Sequence, residues 1–131
     1  MQMLCVDDDP LWLGLLREMV YDVVGAEAQI HTAFTGAEAL RVLDQFPCDL
    51  AIVDLSLCDI AGLDLVAKVH ARWPSLPLVA LSDGMDLGEV MRARSLGAAY
   101  CLLKPLSASS FADVCAALGL ARAEAVRSAA L

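Results

Sequence analysis

Basic residues are scarce in this chain: nine Lys and Arg stand against seventeen Asp and Glu among 131 residues, a net charge of −8. That sign argues against a surface that grips nucleic acid or an anionic membrane, so no direct nucleic-acid or membrane partner is expected. Also missing is any run of about eighteen uncharged apolar residues, the length that would cross a bilayer. The N-terminal Met1-Gln2-Met3-Leu4-Cys5-Val6 carries no basic segment and no small-residue cleavage site, which predicts no secretion signal and a cytoplasmic chain. The five cysteines, Cys5, Cys48, Cys58, Cys101 and Cys115, include no C-x-x-C pair and all lie in or beside apolar segments. They are expected to be buried, reduced thiols rather than a metal or redox centre. A length of 131 residues is about one domain's, so a two-domain enzyme is not expected.

What the chain has is apolar bulk. Hydrophobic residues make up 59% of it and aromatics only 5%, too apolar for disorder and rich in Val, Leu and Ala, as strands buried on both faces require. Short apolar runs at Met3 to Val6, Gln29 to Phe34, Leu50 to Val53, Leu78 to Leu81 and Tyr100 to Leu103 read as strands. Helical periodicity fills the gaps, at about Pro10 to Val24, Ala37 to Phe46, Leu63 to Trp73, Leu87 to Leu96 and from Ser109 onward. Asp9 before Pro10 supplies an N-cap and a preset first-turn φ, and Thr35 with Glu38 has capping-box spacing. Gly97 suits the left-handed end of the fourth helix. Five βα repeats imply an α/β fold with a parallel sheet covered on both faces. An open doubly wound sheet, a half barrel and part of a larger assembly all satisfy that pattern, and the open sheet is favoured.

Such a sheet places its binding crevice at the carboxyl ends of its strands. The residues there are Asp7, Asp8 and Asp9, then Asp54, then Ser82 and Asp83, then Lys104 and Pro105. Carboxylates crowded at one edge repel each other and need a cation to stay ionised. Oxygen ligands of this kind suit Mg²⁺, and the ion with Lys104 would neutralise Asp7, Asp8 and Asp54, leaving a site able to admit a phosphoryl group. Phosphoryl transfer depends on positioning and on neutralising the equatorial oxygens. Asp54, alone at the end of an apolar strand, is the natural nucleophile. Asp7 and Asp8 are the candidate metal ligands, while Lys104 and the Ser82 hydroxyl are candidates to meet phosphoryl oxygens. A cis peptide before Pro105 would turn the chain and aim the ammonium inward.

These segments resemble the receiver domain of bacterial two-component response regulators over nearly the whole chain. The matching stretches are Leu4 to Pro10, Asp49 to Asp54 with Gly62 eight residues on, Ala80-Leu81-Ser82, Gly97-Ala98-Ala99 and Leu103-Lys104-Pro105. The resemblance implies a flavodoxin-like sheet of order 2-1-3-4-5 flanked by five helices, a receiver over residues 1–118, and a C-terminal helix extension or linker over 119–131. It implies that Asp54 accepts a phosphoryl group from a sensor histidine kinase or phosphotransfer protein, with Mg²⁺ held by Asp7, Asp8, Asp54 and the Ser56 carbonyl. Ser82 would then move toward the phosphoryl oxygen and repack the face of the fourth helix, fifth strand and fifth helix. Such a chain catalyses only its own phosphorylation and dephosphorylation. Four positions depart from the family pattern. Cys58 replaces a Pro, Ala61 an acid, Asp83 a small residue, and Cys101 the aromatic found in many receivers three residues before the Lys. Tyr100, one place earlier, faces the other side of the strand and is no substitute.

Two rival functions use the same residues. A receiver that binds partners without being phosphorylated accounts for the four departures, and a haloacid-dehalogenase-like phosphatase would use the D-x-D pair Asp7 and Asp9. Blander roles are expected for several residues: Asp9 as a helix cap, His31 and His70 as surface or satisfied core residues, Asp59 and Asp64 as solvated. Trp12 is either core or, since the resemblance places the kinase against the first helix, an exposed docking residue. Phe111, Val114, Cys115 and Leu118 form an apolar helix face, after which Gly119 costs about 1 kcal/mol in a helix interior. Either the helix ends there or the Ala-rich tail continues it as a stem for a homodimer or a linker.

Overall fold

The computed structural model describes residues 1–57, 59–84 and 86–120. Five strands, β1 (Gln2–Val6), β2 (Gln29–Ala33), β3 (Leu50–Asp54), β4 (Leu78–Ser82) and β5 (Tyr100–Leu103), alternate with five helices, α1 (Pro10–Val24), α2 (Gly36–Gln45), α3 (Gly62–Arg72), α4 (Leu87–Ser95) and α5 (Ala108–Ala117). The strands form one parallel sheet in the order β2-β1-β3-β4-β5. This is the expected open doubly wound arrangement, with its switch point between β1 and β3.

Period-two alternation along the buried strands divides the core. Met3, Cys5, Leu50, Ile52, Val79 and Leu81 face Leu16, Val20, Phe111 and Val114 of α1 and α5. Leu4, Val6, Ala51, Val53, Leu78 and Ala80 face Ala39, Leu65, Val66, Val69 and Ala93 of α2, α3 and α4. Every residue of β3 and β4 is buried, as a centrally placed parallel strand requires, and truncating one of these leucines to Ala would cost about 2–5 kcal/mol.

Element ends follow local chemistry. Asp9 accepts a hydrogen bond from the Leu11 N–H at 3.0 Å with Pro10 opening α1, and Thr35 Oγ1 accepts from the Glu38 N–H at 3.1 Å. The Glu38 carboxylate takes the Phe34 N–H at 3.1 Å, and β2 ends at Ala33, one residue short of expectation. Gly97 sits at φ +126° after α4, where a Cβ would lie 2.3 Å from the His70 ring. The other boundaries fall within a residue of expectation, β1 starting at Gln2 and β3 and β4 extending to include Asp54 and Ser82.

The expectations for Cys48, Cys101 and Asp59 need correction, whereas those for Trp12, His31, His70 and the end of α5 resolve within the alternatives given. Of the four described cysteines, Cys5 and Cys115 are buried but Cys48 and Cys101 are only half-buried, and all four are free thiols. Burial pushes the Cys5 thiol up to about 12 and Cys115 to about 11, so neither is a ready thiolate. Asp59 is exposed yet not merely solvated: its two oxygens accept from the Gly36 and Ala37 N–H groups at 2.9 and 3.1 Å, capping α2 from another loop. Trp12 packs against the α1/α5 core, and the exposed apolar residues of α1 are Leu11 and Leu15. His31 is bonded to Gln2 at 3.0 Å and stacked on Phe46, and His70 is exposed. Among the described residues α5 ends at Ala117, and Gly119 takes φ +71°. Cys58 and the tail from residue 121 lie outside the described residues.

Candidate functional site

Sheet register brings the strand-end residues together. Val6 pairs with Val53, so Asp7 and Asp54 emerge side by side, and Asp54 pairs with Leu81. Ser82 pairs with Leu103, so Lys104 follows one residue beyond the serine. The Lys104–Pro105 peptide is cis. By strand alternation Asp7, Asp54 and Lys104 share one parity, while Ser82 and Cys101 share the other, the side covered by α4.

Lys104 Nζ lies 2.7 Å from Asp7 Oδ2, 3.5 Å from Asp54 Oδ2 and 3.9 Å from Asp83 Oδ1. Asp7 and Asp54 are only 1% and 2% exposed, and charges buried to that degree must be paired. Asp7 Oδ1 accepts from the Asp9 N–H at 2.9 Å, and Asp54 Oδ1 from the Ser56 N–H at 3.0 Å. Asp83 is mostly exposed, its Oδ2 accepting from Ser56 Oγ at 3.3 Å, so its contribution is screened. Burial raises the Asp54 carboxyl above its ordinary range, an effect that Asp7 and Asp83 reinforce and that the Ser56 N–H and Lys104 oppose. Burial alone would lower Lys104, but its carboxylate neighbours, Asp7 foremost, raise it. The ammonium is therefore held charged at the centre of an acidic ring.

The donor set suits a hard divalent cation. Oxygens of Asp7, Asp8 and Asp54 lie within 4.8 Å of one another, and Asp7 Oδ2 is buried without a directed hydrogen bond, its partner being the ion-pair contact with Lys104. One ammonium does not neutralise the three carboxylates of Asp7, Asp8 and Asp54, so oxygen-ligand capacity remains for Mg²⁺. Asp9 stands apart: it is exposed and occupied in capping α1, which removes the second acid of the D-x-D pair and with it the main support for the phosphatase reading.

Ser82, also buried, does not face Asp54. Its Oγ lies 2.8 Å from Glu89 Oε1 and 2.9 Å from the Gly84 carbonyl. Glu89 is absent from the sequence-based candidates. Its only sequence signal is its place three residues after the α4 cap Asp86, where a carboxylate usually serves the helix. The loop after Asp54 returns tightly, since a Cβ on Gly62 would lie 2.2 Å from the Leu55 Cα. No substitution there fits without moving backbone. Ala61, before it, leaves α3 without a side-chain cap. Tyr100 packs with the α1/α5 core and Cys101 with the opposite one, as their alternation predicts.

Comparison with known proteins matches residues 3–116 to the response regulator receiver domain. The transcriptional regulatory protein KdpE of Mycobacterium tuberculosis is 32% identical over 108 residues, covering 82% of this chain and 46% of that protein. The transcriptional regulatory protein GlrR of Escherichia coli is 33% identical over 104 residues, 79% of this chain and 23% of that protein. The chain thus spans less than half the length of these curated relatives. A CheY-like receiver domain protein from Methanospirillum hungatei superposes with a TM-score of 0.81 at 21% identity over 97% of both chains, a likeness of fold. No helix among the described residues is long and apolar enough to cross a membrane.

Proposed function

Because the chain belongs to the response regulator receiver domain family, we propose that it is a phosphorylation-controlled switch in which Asp54 accepts a phosphoryl group from a sensor histidine kinase or phosphotransfer protein. The observation that carries this is the placement of Asp54: almost fully buried at the end of the central strand, 3.5 Å from the Lys104 ammonium and grouped with Asp7 and Asp8. A carboxylate so placed is dry, held by one backbone N–H, and has a fixed cation where charge must be met in transfer.

Bound Mg²⁺, held by Asp7, Asp8, Asp54 and the Ser56 carbonyl, would supply neutralisation of phosphoryl oxygens. The Asp54 carboxylate forms a new O–P bond as the N–P bond of the phosphohistidine breaks, and the departing imidazole nitrogen keeps that electron pair and takes a proton from solvent. Lys104 meets one phosphoryl oxygen and the Ser82 hydroxyl another. The reverse fate is attack by water, which returns Asp54 and releases phosphate, so the chain acts on itself and turns over no external substrate. Exposed Leu11 and Leu15 on α1 offer the donor protein a docking surface, and exposed Leu87, Met91 and Leu103 form the responding face of α4 and β5. The receiver occupies residues 1–118, and residues 119–131 serve as an extension or linker, with a homodimer as one use of it. The working compartment is the cytoplasm, and any DNA affinity belongs to another domain or subunit.

Beryllofluoride, a mimic of the acyl phosphate, tests this reading. With Mg²⁺ it is expected to shift the amide resonances of Ser82 and α4 in the wild type and leave Asp54→Asn unchanged. A wild type that does not respond would favour a receiver that binds partners without phosphorylation.

A further inference from the structure

The buried Ser82 hydroxyl has two acceptors within reach, Glu89 Oε1 at 2.8 Å and the Gly84 carbonyl at 2.9 Å, and one proton to give. A charge-assisted bond to carboxylate is the stronger of the two, so the serine is held on the α4 side of the sheet and away from Asp54. The same side lacks the ring that would ordinarily sit there. Ala80 pairs with Cys101, which places position 101 on the Ser82 face of the neighbouring strand. A cavity of about 330 Å³ opens beside it, lined by Ser82, Leu87, Val90 and Cys101. Glu89 is near enough to contribute to the raised pKa of the Cys101 thiol.

Glu89 also has a second station. It is the third residue of α4, and its own N–H is bonded to the Asp86 cap at 3.3 Å. A carboxylate at that position can reach back to the N-cap N–H. Here it reaches across to β4 instead.

We propose that Glu89 is a positioning residue that holds the Ser82 hydroxyl off the acceptor site in the unphosphorylated chain and ties the state of that site to α4, a link that the side chain at 101 is too small to make. The proposal rests on Asp54 being the acceptor. When a phosphoryl group occupies Asp54, two anions compete for the one Ser82 proton. Donation to the phosphoryl oxygen breaks the Ser82–Glu89 bond and returns the Glu89 carboxylate to the first turn of α4, where it favours the helix dipole. No covalent bond to Glu89 forms or breaks.

A double-mutant cycle reads this coupling. Phosphorylation by a small phosphodonor with Mg²⁺ is followed by intact mass in the wild type, Glu89→Ala, Ser82→Ala and the double variant. Glu89→Ala is expected to speed phosphorylation about five- to tenfold when Ser82 is present and to have no effect when it is absent. Glu89→Gln, which keeps a neutral acceptor of the same shape, is expected to fall between. Equal acceleration in both backgrounds would mean that Glu89 acts only by repelling an anionic donor and would overturn the proposal, as would an unchanged rate. Thermal unfolding of the same four unphosphorylated chains gives a second reading: additive effects at 82 and 89 overturn the bond, and non-additive effects support it. If the wild type gains no phosphate at all, it is the acceptor role of Asp54 that fails, which the unfolding cycle distinguishes from failure of the Ser82–Glu89 link.

Discussion

Lys104 Nζ stands 2.7 Å from Asp7 Oδ2 and 3.5 Å from Asp54 Oδ2, so a single ammonium bridges the carboxylates at the ends of β1 and β3. An ammonium in that place competes electrostatically with any metal ion bound to the same acids. Lys104→Met should therefore bind Mg²⁺ more tightly than the wild type, by about tenfold, while accepting phosphate more slowly. Asp7→Asn should weaken Mg²⁺ binding by about tenfold or more. Isothermal titration of both variants checks the pair of signs, and a Lys104→Met chain with weaker Mg²⁺ binding would contradict this electrostatic account.

The same ammonium lies 5.8 Å from the centre of the Trp12 ring, whereas Trp73 lies beside Arg72 at the far end of the strands, with that guanidinium 4.4 Å from its ring centre. A cation near an indole face perturbs its emission. Fluorescence of a Trp73→Phe chain should change on adding Mg²⁺ with beryllofluoride, and that of a Trp12→Phe chain should not. The opposite assignment would mean that Lys104 does not move or change its charge environment when the site fills.

Asp59 links the acceptor loop to α2 through the Gly36 and Ala37 N–H groups, chiefly that of Gly36, and these hold its carboxyl below the ordinary 3.8. A carboxyl whose folded pKa is depressed stabilises the fold above its unfolded pKa, and the contribution is lost as pH falls through the folded value. Asp59→Ala should melt a few degrees below the wild type at neutral pH, with the gap closing below about pH 3.8. A gap that persists unchanged in acid would show that the cap contributes nothing through its charge.

Ala61 stands at the N-cap of α3 without a side-chain hydrogen bond. An acid there would accept a first-turn N–H and complement the helix dipole, so Ala61→Asp is expected to stabilise the chain by about 1 kcal/mol. Chemical denaturation measures this, and a destabilised variant would mean that the added charge's repulsion by Asp59 and Asp64 outweighs the cap.

The sheet was legible because each βα unit carries its own local signals: a buried apolar run, then a cap such as Asp9 or Thr35, then a helical stripe. The convergence of Asp7, Asp54 and Lys104 was legible for a related reason. In a parallel sheet every strand delivers its C-terminal residue to one edge, so sequence position alone predicts proximity. Glu89 and Asp59 were not legible. Each makes its defining bond to an element distant in sequence or across a turn, Glu89 to Ser82 and Asp59 to the start of α2, and neither periodicity nor spacing encodes which partner a polar side chain selects. The half-burial of Cys101 has a similar origin. An edge strand in this fold is covered only as far as α4 extends over it, and that coverage is set by packing rather than by the Tyr100-Cys101-Leu102-Leu103 run.

The central claim is that Asp54 is the phosphoacceptor. Intact-mass measurement after incubation with Mg²⁺ and a small phosphodonor tests it most directly: the wild type should gain a single phosphate, and Asp54→Asn should gain none. A phosphate gain on Asp54→Asn equal to that of the wild type would contradict the assignment.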